Sequence, residues 1–236
     1  MSQQRIADRM QTHTIASRLR ACLGLKLALL VVLNAWVMLP YFFLQHRPFH
    51  EVGLMQPGWL DHWIPFSANA VWFYVSVYLL MPIGPFLMNE RGQIWRYAIG
   101  VALMGSLAAL IFFFWPTMCA RPQIESANFL YRWLIAIDKP LHAFPSLHAA
   151  FAVYSALCAR LVLRELKIPR FCQALIWLWM LGILYSTLAT RQHVTLDIIA
   201  GSVLGWAAYA AAFVPRRAWL PGRAFQLVRT TSTSTR

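Results

Sequence analysis

The sequence predicts an all-α polytopic membrane protein, a six-helix transmembrane bundle with both termini in the cytoplasm. Three observations carry that expectation. Of the 236 residues, 59% are hydrophobic and only 12% are charged, and the mean hydropathy is +0.53. Soluble domains carry about 25% charged residues, so much of this chain is solvated by lipid, and disorder, collagen and a coiled coil are excluded. A spanning helix needs roughly 20 apolar residues, and the chain holds about six such runs with no room for a large extramembrane domain. Basic residues punctuate those runs instead of forming the groove or stripe of a nucleic-acid binder, so the net charge of +13 sets topology and implies no nucleic-acid partner.

Taken in order, residues 1–24 form a basic cytoplasmic segment with Arg5, Arg9, Arg18 and Arg20. Ile6 and Met10 lie at helical spacing, which suits either a short surface helix or a disordered tail. The apolar run that follows is too long for a signal-peptide core and is expected to stay in the protein. The membrane catalytic domain covers 25–215, with spans at 25–45, 64–88, 95–115, 146–164, 171–189 and 194–214. Pro82, Gly84, Pro85, Gly100 and Gly105 inside them are tolerated in lipid. Gly201 and Gly205 form a GxxxG pair, which permits close packing within the bundle or dimerisation. Residues 216–236, ending TTSTSTR, show no apolar periodicity and read as a basic, disordered cytoplasmic tail. Cys22, Cys119, Cys158 and Cys172 show no CxxC spacing, and only Cys119 falls outside the membrane on the less basic side, so no structural disulfide is expected.

Threading six spans places sixteen Lys and Arg residues on the side of the termini and five on the other: Arg47, Arg121, Arg132, Lys139 and Arg191. The positive-inside rule then makes the second side the outer one. Its polar residues gather in two stretches, 121–148 and 190–197. In the first, Pro145 stops any upstream helix and Ser146 is a good N-cap, so the following amides face outward and can bind an anion. His148 beside them can give a proton to a departing oxygen; an ordinary capped helix with an interfacial histidine is the bland alternative. In the second, His193 and Asp197 are four apart and share a helix face. The carboxylate can orient the imidazole as a nucleophile toward phosphorus or as a metal ligand. An unpaired Asp in an apolar helix costs about 3 kcal/mol at mid-membrane, which favours function over a structural pair. Arg121 and Arg191 match phosphate geometry, or else snorkel to headgroups. Asp138 and Lys139 order the loop or bind substrate, and His142 is expected to be solvated.

These residues resemble the type 2 phosphatidic acid phosphatase superfamily, which includes vanadium haloperoxidases and fungal inositol phosphorylceramide synthases. The second family motif, Pro-Ser-x-His, is matched by Pro145, Ser146 and His148; the third ends His-x-x-x-Asp, matched by His193 and Asp197. The resemblance covers about 60–210 and implies a six-helix fold, with His148 as the acid and His193 as the nucleophile. Two family cations are missing. The Lys seven before Arg121-Pro122 is Phe114, and the Arg after Ser186 is Thr187. Arg191 is the expected substitute. Pro-Ser-Leu-His and His-Val-Thr-Leu-Asp look nearer to the inositol phosphorylceramide synthase-like branch.

The expected function is an integral-membrane lipid phosphatase hydrolysing a lipid phosphate or diphosphate at the outer membrane face through a phosphohistidine. His193, His148 and Asp197 are catalytic, and Arg121, Ser146 and Arg191 bind substrate. No metal and no cofactor are expected, because fixed positive charge does the electrostatic work. The expected partners are a lipid phosphate substrate and membrane lipids. A phosphotransferase would use the same residues with a lipid or sugar hydroxyl in place of water. A haem carrier ligated by His148 and His193, or an inactive structural relative, are the remaining readings.

Overall fold

The computed structural model describes residues 14–121 and 126–214. The expectations for Ile6 and Met10 and for the 216–236 tail lie outside those residues. Among the described residues, six helices are long and apolar enough to cross a membrane. They are α2 (Leu23–His46), a broken run of α4 (Val71–Val75), α5 (Val77–Leu80) and α6 (Ile83–Leu87) that begins with a 3-10 turn at Ala68–Ala70, α7 (Arg91–Phe114), α9 (Leu147–Glu165), α10 (Arg170–Ala189) and α11 (Thr195–Phe213). α7 starts at Arg91, ahead of the expected 95, because a charged first turn can stand outside the apolar layer.

The second span breaks for local reasons. Ser76 Oγ donates to the Phe73 carbonyl at 2.6 Å, in competition with the helix ladder. Pro82 and Pro85 supply no N–H. The break is pinned from α10, whose Trp179 Nε1 donates to Ser76 Oγ at 2.8 Å. At the end of this run the Phe86 and Leu87 carbonyls have no helical partner and carry the negative end of the dipole. Lys26 Nζ donates to Phe86 O at 2.7 Å and to Arg18 O at 2.6 Å, while Arg18 in α1 (Ile15–Arg20) donates to Leu87 O at 3.2 Å and pairs with Glu165 at 3.0 Å. Two buried cations thus tie α1, α2, α6 and α9 together.

The core lies around α9, two thirds of whose apolar window is buried (67%), against 11% for α2. Small residues set the closest approach. A β-carbon on Gly201 would collide with the Ser146 carbonyl oxygen, and one on Gly205 with that of Ala150, so the GxxxG pair packs α11 onto α9 within the chain.

Short elements outside the spans complete the end that carries the histidines. β1 (Gly53–Met55) pairs in parallel with β2 (Thr117–Cys119), with Gly53 opposite Thr117 and Met55 opposite Cys119. α3 (Trp59–Trp63) follows β1, and α8 (Phe129–Ile137) starts at Asn128, whose side chain accepts the Leu130 and Tyr131 amides. α8 packs its buried Tyr131 and Leu134 against Val71 and Tyr74 of α4. β2 also grips the loop before α9: Cys119 N–H donates to Pro140 O, Ala143 N–H to Thr117 O at 3.1 Å, and Phe144 N–H to Thr117 Oγ1 at 2.8 Å.

Candidate active site

Ser146 joins the starts of two spans. Its Oγ accepts the Ala149 amide at 3.2 Å, as an N-cap should, and its own N–H donates to the Asp197 carbonyl at 3.1 Å. The side chain is fully buried, so the hydroxyl is committed to the cap. The Leu147 and His148 amides, first in α9, have no intrahelical acceptor.

The turn between α10 and α11 places His193. Arg191 N–H donates to Leu188 O at 3.0 Å and Gln192 N–H to Thr187 O at 3.1 Å, the reversed bonds of a Schellman end. Arg191 occupies the left-handed position usually given to Gly, with φ 55°. His193 follows, its Nδ1 3.1 Å from the Ala143 carbonyl and 3.6 Å from Asp197 Oδ2. A carbonyl can only accept, so Nδ1 carries the proton and Nε2 keeps its lone pair. Asp197 therefore acts through charge at short range, not through the direct hydrogen bond that the i, i+4 spacing suggests. Its Oδ2 accepts the Val194 N–H at 3.0 Å and the Cys119 S–H at 3.2 Å. Burial, then the Asp197 carboxylate, push the Cys119 thiol well above its ordinary range, so it remains a donor.

His148 lies flat on Tyr74, ring centroids 3.8 Å apart, and its Nε2 donates to the Tyr74 carbonyl at 2.7 Å. Nδ1 is the nitrogen left for proton exchange. The same bond occupies the atom that would most readily ligate a haem iron, which removes support from the carrier reading.

Arg121 is held by Asp138: Nη1 donates to the Asp138 carbonyl and Nη2 to its Oδ2 at 3.1 Å. Asp138 is fixed in turn by Tyr41 Oη at 2.6 Å and Gln45 Nε2 at 3.1 Å. Sequence reasoning had no signal for these α2 partners, which lie more than ninety residues away. His142, expected to be solvated, is buried at 3% exposure because the β2 contacts fold its loop inward. Its ring stacks on Phe112 with centroids 4.6 Å apart, and neither nitrogen completes a hydrogen bond, although the Tyr41 carbonyl lies near enough to favour the charged form. Burial outweighs that carbonyl and Asp138 and holds the imidazole down to about 4.

Arg191 points elsewhere. Nη1 donates to Asp61 O and Nη2 to Ile64 O, both at 2.8 Å, while Asp61 Oδ1 accepts the Thr195 amide and hydroxyl at 2.9 and 2.7 Å. It thus fastens the α3 segment to the start of α11, and its guanidinium is spent on carbonyls. Of the positions where the resemblance leads one to expect cations, Phe114 is exposed on the bundle's outside and Thr187 is buried with its hydroxyl on Leu184 O.

A cavity of about 570 Å³ gathers the remaining groups, with Arg121, His142, His148, Gln192 and His193 lining one end. A polytopic membrane protein with three histidines and an arginine around one cavity at the ends of its spans is the class that fold and site define. The PAP2 superfamily model matches residues 21–219, and the chain belongs to that superfamily, whose members are usually phosphatase-type enzymes. Neither the curated proteins nor the solved structures compared with it give a match.

Proposed function

We propose that this protein is a lipid phosphatase that hydrolyses a lipid phosphate or diphosphate at the outer membrane face, without a metal ion, through a phosphohistidine on His193. The supporting observation is the His193 ring: its Nδ1–H rests on a carbonyl, and it lines the cavity that His148 and Arg121 also line. Nε2 attacks phosphorus, the bond to the leaving oxygen breaks, and His148 in its doubly protonated form supplies that oxygen's proton from Nδ1. Asp197, 3.6 Å away, stabilises the positive ring. Arg121 and the Leu147 and His148 amides hold the phosphoryl oxygens, with Ser146 securing the helix start. Water that loses its proton to His148 then attacks phosphorus, and the His193–phosphorus bond breaks to release phosphate.

One observation favours transfer as a second reading. The unbonded His142 nitrogens offer a neutral donor and acceptor beside the site, which suits an alcohol in place of water, as in the inositol phosphorylceramide synthase-like branch.

The test is turnover of a panel of lipid phosphates by purified protein, scored for free phosphate and for transferred product. Activity should persist in chelator, stop with vanadate and fall at least about a thousandfold in His193→Asn, which should no longer trap phosphate. Activity lost in chelator and restored by magnesium or zinc would make His193 and Asp197 metal ligands. No turnover of any lipid phosphate by a folded protein would identify an inactive relative.

A further inference from the structure

At the far end of α9 from His148, three arginines surround an open pocket of about 410 Å³: Arg160 and Arg164 of α9 and Arg170 of α10, with Gln173 and Trp177 beside them. A tight turn brings them together. Lys167, at φ 56°, donates its N–H to Arg164 O at 3.0 Å and Ile168 N–H donates to Leu163 O at 2.9 Å, which closes α9 in a Schellman end. Gln173 Nε2 donates to Ile168 O at 3.0 Å and ties the turn to α10. Arg160 and Arg164 are four apart on one helix face, where like charges repel. Among the described residues, none of the three guanidiniums forms an ion pair or a hydrogen bond. Glu165, the nearest acid in sequence, is spent on Arg18 and Gln93 at 3.0 and 2.7 Å.

Arg160 carries the argument furthest. It lies five residues before the end of α9, about 7 Å inside the span, where a cation is expensive and marks a binding site unless the fold pairs it. Its guanidinium stands over the Trp177 ring, 5.7 Å from the centroid, a contact that holds the head in place but brings no negative charge. We infer that this pocket binds the headgroup phosphate of an anionic membrane lipid in the leaflet opposite the histidines. Three positive charges around one pocket call for an anion, and guanidinium forks match phosphate oxygens. The occupant is a lipid and not a free anion, because Phe171, Leu175 and Leu178 on the adjoining face of α10 are exposed and offer acyl chains an apolar surface. By the positive-inside rule this is the cytoplasmic leaflet, where basic pockets between spans meet anionic headgroups. The site does not depend on the phosphate chemistry at the histidine end.

The test is lipid binding to the purified full chain in detergent, read by native mass spectrometry with dioleoyl phosphatidylglycerol or dioleoyl phosphatidylcholine added. Phosphatidylglycerol should bind at least about tenfold tighter. Arg160→Gln should weaken it about fivefold, and so should Arg164→Gln, whose exposed side chain leaves packing undisturbed, while phosphatidylcholine binding stays the same. Arg160→Lys should recover part of the loss, since it keeps the charge without the fork. Arg96→Gln is the control: Arg96 is exposed near the start of α7, which the Gln93–Glu165 bond places at this same end of the bundle, yet it lies outside the pocket. It should bind phosphatidylglycerol as wild type does, and inorganic phosphate at millimolar concentration should not displace the lipid. Equal binding of the two lipids, or a loss in Arg96→Gln as large as in Arg160→Gln and Arg164→Gln, would overturn the inference and leave only diffuse surface charge. Displacement by inorganic phosphate would overturn it in favour of a soluble-anion site.

Discussion

The α9–α11 side of the cavity and the α2–α6 side differ in how closely their backbones approach. On the first, Gly201 and Gly205 leave no space for a β-carbon against the Ser146 and Ala150 carbonyls, and Ser146 N–H bonds to Asp197 O. On the second, α2 is 11% buried and faces a run broken at Ser76 and Pro82. His148 and His193 stand on the tight side, where close packing fixes side-chain directions. The loose side lines the apolar extension of the cavity. The difference teaches that this bundle separates a part packed closely enough to hold side-chain geometry from a part that leaves open space between its helices.

The most damaging way to break that contrast is to add bulk to the tight side. Gly201→Leu drives a side chain into the Ser146 carbonyl, and backbone cannot move aside as the end of a flexible side chain can. We expect loss of the folded bundle, read as early melting in detergent and undetectable turnover. Leu33→Trp, on the loose side, should melt within a few degrees of wild type. If both variants melt alike, the two sides are not differently packed.

Much of this architecture was legible in the sequence, and what was hidden has physical reasons. Lipid imposes length and apolarity on each span, so the boundaries of α2, α9, α10 and α11 fall within two residues of those expected from composition. Ser146 and the His193–Asp197 spacing could be read because caps and i, i+4 neighbours are local. The short helices α3 and α8 were missed because they rest on distant partners, Arg191 for one and the Val71–Tyr74 pair for the other. Arg121 could be singled out as a cation but not as half of an ion pair with Asp138, nor Cys119 as a donor to Asp197. Such pairings join residues far apart in the chain, and no periodicity encodes them.

Arg121 ranks next in effect, because it lines the cavity beside His148 and His193 while Asp138, anchored to α2 by Tyr41 and Gln45, orients its guanidinium. Removing a charge-assisted clamp that strengthens in the transition state costs about 3 kcal/mol, so Arg121→Ala should lower kcat about a hundredfold on a short-chain lipid phosphate. Arg121→Lys should recover part of it, since charge remains and the fork is lost. Asp138→Ala removes the partner that orients the fork and should raise KM more than it lowers kcat. Equal rates for wild type and Arg121→Ala would leave the α9 amides as the anion site.

His142 reports on the junction of the two sides, packed between Phe112 and Tyr41. In the unfolded chain its ring takes up a proton near pH 6.5, whereas in the fold burial holds it down to about 4. Below 6.5 the unfolded state therefore binds the proton first, and stability falls until the pH reaches the folded value; above 6.5 the contribution is fully present. The separation corresponds to about 3 kcal/mol. Melting of wild type in detergent should drop between pH 7.5 and 4.5, and His142→Phe, which keeps the stack, should drop less. Parallel declines would assign the acid sensitivity to other groups.

The smallest effect is expected at Arg191, which sequence spacing suggests as a phosphate clamp and the structure places as a fastener. Both terminal nitrogens are spent on the Asp61 and Ile64 carbonyls, so its loss should loosen α3 against α11 without removing a phosphate contact. Arg191→Ala should therefore reduce turnover less than tenfold, leave KM for a short-chain lipid phosphate unchanged and lower the melting temperature by a few degrees. The left-handed backbone, φ 55°, gives a second handle. Glycine adopts that conformation without the side-chain penalty of about 1 kcal/mol, so Arg191→Gly should melt above Arg191→Ala although both lack the guanidinium. If Arg191 instead clamps phosphate, the Ala and Gly variants should both lose about a hundredfold in rate whatever their melting temperatures. A split in melting temperature with near-equal, mildly reduced rates is the fastener's signature; a shared hundredfold loss would return Arg191 to the active site.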